Sequence, residues 1–121
     1  MRQCARTDIS DIYCKNIKKL SNGKYDFTAC SFADCGNFNG TVQDIMPNGK
    51  YNAEFTAYLD MIADYGLALQ NENIPVLFRP FHENGGSWFW WGGEHLTPQE
   101  SIDLYKYTAD YLKNKGVHNF I

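Results

Sequence analysis

The run Ile74-Pro75-Val76-Leu77-Phe78-Arg79-Pro80-Phe81-His82-Glu83, followed by Asn84-Gly85-Gly86-Ser87-Trp88-Phe89-Trp90-Trp91-Gly92-Gly93, decides how the rest of the chain is read. Ile74 to Phe78 is short, continuously apolar and β-prone, the pattern of a strand buried on both faces of a sheet. Pro75 fits only among its first positions, where a missing N–H costs no ladder bond. In extended chain Arg79, Phe81 and Glu83 share one face while Pro80 and His82 share the other. A strand over 74–82 thus ends with a carboxylate at its C-terminal tip, and a loop rich in Gly and Trp over 84–96 takes over.

Working outward, Thr97-Pro98-Gln99-Glu100 is a capping box with Pro at the first helical position, and it predicts a helix over 98–114. Its apolar face is read from Ile102, Tyr105, Ala109 and Leu112; Gly116 ends it and a second strand is expected over 117–121. Upstream, Asn52 is expected to cap a helix over 53–70 that buries Phe55, Leu59, Ile62, Ala63, Gly66 and Leu69. The stretch from Lys24 to Lys50 reads as a long surface loop with at most one short strand around Tyr25 to Ala29. Ile9, Ile12, Tyr13, Ile17 and Leu20 recur at helical spacing and predict a helix near 8–20, stopped by Ser21-Asn22-Gly23. Helix, strand, helix, strand is the alternation of a parallel α/β sheet, whose chemistry lies in loops after strand C-termini.

Composition removes other classes. With 44% hydrophobic residues and 21% charged, the chain is a soluble globular piece rather than a disordered one. A net charge of -3, from 11 Lys+Arg against 14 Asp+Glu, argues against nucleic acid, and Lys15, Lys18 and Lys19 are the one basic cluster. Neither a membrane span nor a leader is legible in these residues, and no protein partner is implied. Cys4, Cys14, Cys30 and Cys35 lack the paired short spacing of a zinc site and read as thiols or a disulfide whose pairing stays open. The run Val117 to Ile121 is expected to be a strand cut in the middle, which makes 1–121 a fragment of one domain.

Sixteen per cent aromatic residues, with all three Trp inside 88–91, is more than a small core needs. Sugar rings present apolar C–H faces that stack on indoles, and a glycosidic oxygen needs a carboxylic acid to protonate it as it leaves. Glu83 is therefore the candidate acid, with Trp88 and Trp91 as candidate sugar platforms. The bland alternatives are a solvated or Arg79-paired Glu83 and a Trp90–Trp91 pair that only packs the loop on a helix. Arg79 is read as a buried charge held by a carboxylate, positioning the tip. His82 and His95 are poor metal ligands, since Gly86 stands where HExxH needs its second His, so no metal and no cofactor is expected.

Val76-Leu77-Phe78-Arg79-Pro80-Phe81-His82-Glu83 and Gly86-Ser87-Trp88-Phe89-Trp90-Trp91-Gly92 together resemble the signature of glycoside hydrolase family 26, whose best-known members are endo-β-1,4-mannanases. Tyr58 to Tyr65, Leu104 to Thr108 and Lys115 to Phe120 are similar to the same family, so the likeness spans roughly residues 25 to 121. The resemblance implies a partial (β/α)8 TIM barrel, from after strand 3 to the start of strand 5. It also implies a retaining enzyme with Glu83 as acid/base at the end of strand 4 and a polysaccharide as substrate. It places His82 and Trp88 against the sugar before the scissile bond, with Trp91 as a further contact and Arg79 and Asn84 as supports. Related sequences often carry Thr or Asn where Gly85 stands, so a polar contact is missing here. None of Glu54, Glu72, Glu94 and Glu100 resembles the nucleophile, which implies an inactive piece of a secreted or cell-surface parent. The remaining readings are a β-glucanase or xylanase of the same family, a carbohydrate-binding remnant, or a structural one.

Overall fold

The computed structural model describes residues 18–23, 25–26 and 41–121. Two short strands, β1 (Lys18–Lys19) and β2 (Tyr25–Asp26), pair antiparallel with Lys18 opposite Asp26 and Lys19 opposite Tyr25. The Gly23 N–H donates to the Leu20 carbonyl at 3.0 Å, with Gly23 at a φ of 81°. This corrects the end of the expected helix over 8–20: Lys18 and Lys19 are extended, while 8–17 lie outside the described residues, as do all four cysteines. Asn22-Gly23 serves both as a helix stop and as a hairpin turn, because both need a left-handed residue that glycine accommodates.

The expected loop over 24–50 gives way at its end to a helical turn, α1 (Val42–Ile45), capped by Thr41. The Thr41 N–H donates to the Asp44 carboxylate at 2.8 Å, and Val42 and Ile45 are buried. The helix α2 (Asn52–Asn71) then begins with Tyr51 as cap residue and no side-chain capping bond. Asn52 is not the cap it was expected to be. Its amide instead donates to the Ile45 carbonyl at 2.8 Å and to the Tyr107 hydroxyl at 2.9 Å, tying α1 to α2 and α2 to the third helix.

That third helix, α3 (Pro98–Asn114), starts as expected. The Thr97 hydroxyl accepts from the Glu100 N–H at 3.2 Å while the Glu100 carboxylate accepts from the Thr97 N–H at 2.8 Å. The pairs joining α2 to α3 advance together along both chains: Asn52 with Tyr107, then Asp60 with Tyr111 at 2.7 Å and with Lys115 at 2.9 Å. The helices therefore run parallel. Burial, then the Asp60 carboxylate, push the Tyr111 hydroxyl's pKa up, and the same carboxylate raises that of Lys115. The buried face of α2 is Phe55, Tyr58, Leu59, Ile62, Ala63 and Gly66, with Leu69 36% exposed. On α3 the buried residues are Leu104, Thr108 and Leu112, whereas Ile102 and Tyr105, expected inside, are 59% and 53% exposed. Both stripes have helical period; helix α3 has apolar residues on two adjacent faces, and α2 covers only one.

The expected strands over 74–82 and 117–121 are reduced to one parallel bridge, Val76 with Phe120. Three bonds carry it: Val76 N–H to the Asn119 carbonyl at 2.9 Å, Ile121 N–H to the Val76 carbonyl at 2.9 Å, and Phe78 N–H to the Ile121 carbonyl at 3.2 Å. The arrangement is that of two parallel extended segments joined through α3. Expected burial on both faces fails too, since Val76 and Phe78 are half-buried while Leu77 is 85% exposed. Gly66 brings α2 against the second segment: a Cβ there would sit 2.8 Å from the Phe120 ring. The Gln70 side chain donates to the Gly116 carbonyl at 3.1 Å and accepts from the His118 N–H at 2.7 Å.

The bond from the Thr97 backbone, then that from its hydroxyl, holds the Glu100 carboxyl below the usual carboxylate range. Such a group stabilises the fold fully above its ordinary pKa and loses that contribution as pH falls through the lowered one. Thr97→Ala and Glu100→Ala are each expected to cost about 1 kcal/mol in urea denaturation at neutral pH. The gap between wild type and Glu100→Ala should close on acidification.

Candidate active site

At Pro80 the extended segment turns, and the backbone beyond it is left-handed at two non-glycine residues, Phe81 at 57° and Glu83 at 53°. Each such residue costs on the order of 1 kcal/mol, so its surroundings must over-determine it. Phe81 is held by packing: it is 9% exposed and meets the rings of Trp90 and Trp91 edge-on at 6.2 Å each. Glu83 is held through the loop it opens, its carbonyl accepting from the Gly86 N–H at 3.3 Å and the Asn84 carbonyl from the Gly93 N–H at 2.9 Å. The expected sharing of a face by Arg79, Phe81 and Glu83 is therefore broken. Arg79 and Glu83 are exposed, whereas Phe81 turns into the core.

Trp91 is the anchor beneath the tip. It is 1% exposed, stacked on Phe89 at 4.3 Å and 10°, and edge-on to Trp90 at 5.5 Å. Its indole N–H donates to the His82 carbonyl at 2.7 Å. The His82 ring rests on the same stack, 5.1 Å from Phe89 and 5.8 Å from Trp91. Trp91, expected as a sugar contact, lies buried here and braces the backbone of His82. The reason is geometric: within Trp88-Phe89-Trp90-Trp91 the loop folds over itself, so 89, 90 and 91 point inward and 88 points out.

Trp88 is 64% exposed and donates its indole N–H to the Glu83 carboxylate at 3.1 Å. A short 3₁₀ turn, Gly93–His95, ties the loop down from the other side. His95 Nε2 donates to the Ser87 carbonyl at 2.9 Å, which puts the ring proton on that nitrogen, and the Glu94 N–H reaches the Ser87 hydroxyl at 3.4 Å. Ser87 and His95 thus position the loop, a role that sequence reading missed. His95 stood alone in the sequence, and only the turn at Gly92-Gly93 brings it back to Ser87. The Asn84 carbonyl closes the same loop by accepting from the Gly93 N–H. Arg79 differs from expectation, being exposed and making no ion pair among the described residues. Leu77 lies on the same exposed side of the segment.

The resulting surface combines a solvent-facing carboxylate, an indole N–H that fixes one of its oxygens, and a ring face open to a ligand. Such a group can exchange a proton with a molecule stacked beside it. Among the described residues no three His, Cys, Asp or Glu side chains converge as a metal set, and no helix is long and apolar enough to cross a membrane.

A parallel pair of extended segments joined by a helix, with a carboxylate and indoles at the tip of the first, defines an α/β protein with a candidate acid site. Comparison with known proteins narrows this. The model of glycosyl hydrolase family 26 matches residues 12–121, and the chain belongs to that family. A mannan endo-1,4-beta-mannosidase of Bacillus subtilis is 50% identical over 116 residues, covering 82% of this chain and 32% of its own length. Another of that name, from Bifidobacterium adolescentis, is 42% identical over 92 residues, covering 70% of this chain and 9% of its own. The catalytic domain of the endo-beta-1,4-mannanase of Bacillus sp. JAMB-750 superposes with a TM-score of 0.64 at 46% identity, over 71% of this chain and 24% of that one. The chain thus spans less than a third of the length of these relatives.

The two exposures separate the roles of the tryptophans. Trp91→Ala is expected to destabilise the fold by about 3–5 kcal/mol in chemical denaturation. Trp88→Ala should stay within about 0.5 kcal/mol.

Proposed function

We propose that this chain is part of a (β/α)8 glycoside hydrolase domain that cleaves internal β-1,4 bonds of a mannan-type polysaccharide with retention, and that Glu83 is its acid/base. The observation that carries the reading is the Glu83–Trp88 pair, a carboxylate held at 3.1 Å by the indole N–H of a 64% exposed ring. The stacked ring positions a sugar, and the carboxyl protonates the leaving oxygen as the glycosidic bond breaks. Membership of the family, and relatives named as mannan endo-1,4-beta-mannosidases, support the substrate class. His82 contacts the same sugar from the other side of the tip, its ring held by Phe89 and Trp91. The parallel Val76–Phe120 bridge fits neighbouring strands of a barrel, and Leu77, 85% exposed, fits a segment that packs within a larger domain.

A retaining route needs a second carboxylate about 5 to 5.5 Å from the first. Glu100 is committed to its cap, Glu54 and Glu72 stand at opposite ends of α2, and Glu94 lies in the 3₁₀ turn beyond the Trp loop. None of the four resembles the nucleophile of the family, and we infer that the chain by itself turns over no glycoside. The alternative of a sugar-binding remnant rests on the same exposed Trp88, and one pair of variants separates the two.

In the catalytic domain that carries this chain, Glu83→Ala is expected to lower hydrolysis of mannan by roughly 10²–10⁴-fold while leaving binding in place. Trp88→Ala should weaken binding as well. Reducing-end release on mannan, mixed-linkage glucan and xylan gives the substrate, and release from xylan alone would sink the mannan assignment. With no hydrolysis by wild type, affinity kept in Glu83→Ala and lost in Trp88→Ala would leave a sugar-binding remnant, and no sugar affinity at all a structural one.

A further inference from the structure

The hydrogen bond between Trp88 and Glu83 needs something that neither residue supplies. The Trp88 ring must fold back over the loop to reach a carboxylate five residues earlier, and the surface it folds onto is Gly86. A Cβ built on Gly86 would lie among the ring atoms Cη2, Cζ3 and Cε3 of Trp88. The backbone on either side has little room to yield. Gly86 donates to the Glu83 carbonyl at 3.3 Å, its own carbonyl stands where a Cβ on Gly92 would fall, and Ser87 is held by His95 and Glu94. The ring itself, 64% exposed, has solvent to move into. A methyl group at 86 would thus drive the ring out into solvent and leave the fold intact.

We propose that Gly86 is a positioning residue for the acid/base step: it seats the Trp88 indole so that its N–H occupies Oε2 of Glu83. With Oε2 accepting from the indole, Oε1 is the oxygen that holds the proton and delivers it to the departing glycosidic oxygen. Any side chain at 86 lets the carboxyl rotate and splits delivery between two oxygens. The inference rests on Glu83 being the acid/base, as proposed above.

The test compares wild type, Gly86→Ala and Trp88→Phe in the catalytic domain that carries this chain, using a series of aryl β-mannosides of graded leaving-group pKa. Losing ring contact with the sugar lowers kcat/KM uniformly, whereas losing directed proton delivery steepens its dependence on leaving-group pKa. Both variants are expected to steepen it, the poorest leaving group losing roughly 10–100-fold more than the best. A line parallel to wild type in Gly86→Ala would overturn the proposal. In the same protein the indole N–H resonance of Trp88, assigned by its loss in Trp88→Phe, should move in Gly86→Ala as it does in Glu83→Gln. Those of Trp90 and Trp91 should hold. An unmoved Trp88 resonance, or collapse of all indole signals, overturns the seat as described. If wild type cleaves neither mannan nor these mannosides, the functional reading has failed; in that case, or where it cleaves mannan alone, the resonances judge the seat by themselves.

Discussion

The bond from the Trp91 indole to the His82 carbonyl, at 2.7 Å, is the constraint on which the tip of the molecule depends. An indole that is 1% exposed has no water to satisfy its N–H, so it must find a protein acceptor. It finds one in the backbone between two left-handed residues. That bond, with Phe81 packed on the same pair of indoles, holds His82 in place and makes the conformation of Phe81 and Glu83 tolerable. The Glu83 carboxylate is thus aimed from below by a buried indole.

Below the tip, rigidity comes from two parallel helices rather than from a sheet. Asp60 receives both Tyr111 and Lys115, Asn52 links three elements, and Phe55 stacks on Tyr107 at 5.9 Å. Ion pairs at the surface add little by themselves, but here they flank a core in which Phe55, Tyr58, Leu59, Ile62 and Leu104 are nearly or wholly buried. The extended segments hang on this platform by their half-buried residues. Phe78 and Phe120 meet at 4.7 Å, while the opposite side of the first segment, Leu77 and Arg79, is open.

The sequence carries α2 and α3 well, and α1 and the Trp loop poorly. Thr97, Pro98 and Glu100 announce the start of α3 because a capping box is local chemistry, and the apolar period of α2 survives folding because one face meets one partner. Ile102 and Tyr105 mislead because period identifies an apolar stripe without saying which neighbour covers it. Asn52 misleads in another way, since an amide that could cap is drawn off by Tyr107, far along the chain. Glu83 and Trp88 are legible as residue types suited to sugar chemistry. Their hydrogen bond is not, nor is the inward turn of Trp91, because left-handed backbone at Phe81 and Glu83 breaks the alternation from which facing was read.

Gln70 deserves a different description from that of a link between a helix end and a strand. A primary amide has the donor and acceptor of a peptide group, and here it takes the carbonyl of Gly116 and the N–H of His118, two residues apart. Val76 does the same with its main chain, taking the carbonyl of Asn119 and the N–H of Ile121. Gln70 is in effect a single peptide unit grafted onto the end of α2, standing in for a neighbouring strand. Because both of its bonds are lost together when the facing segment slides by one residue, the alignment of that segment is written in the helix as much as in the ladder.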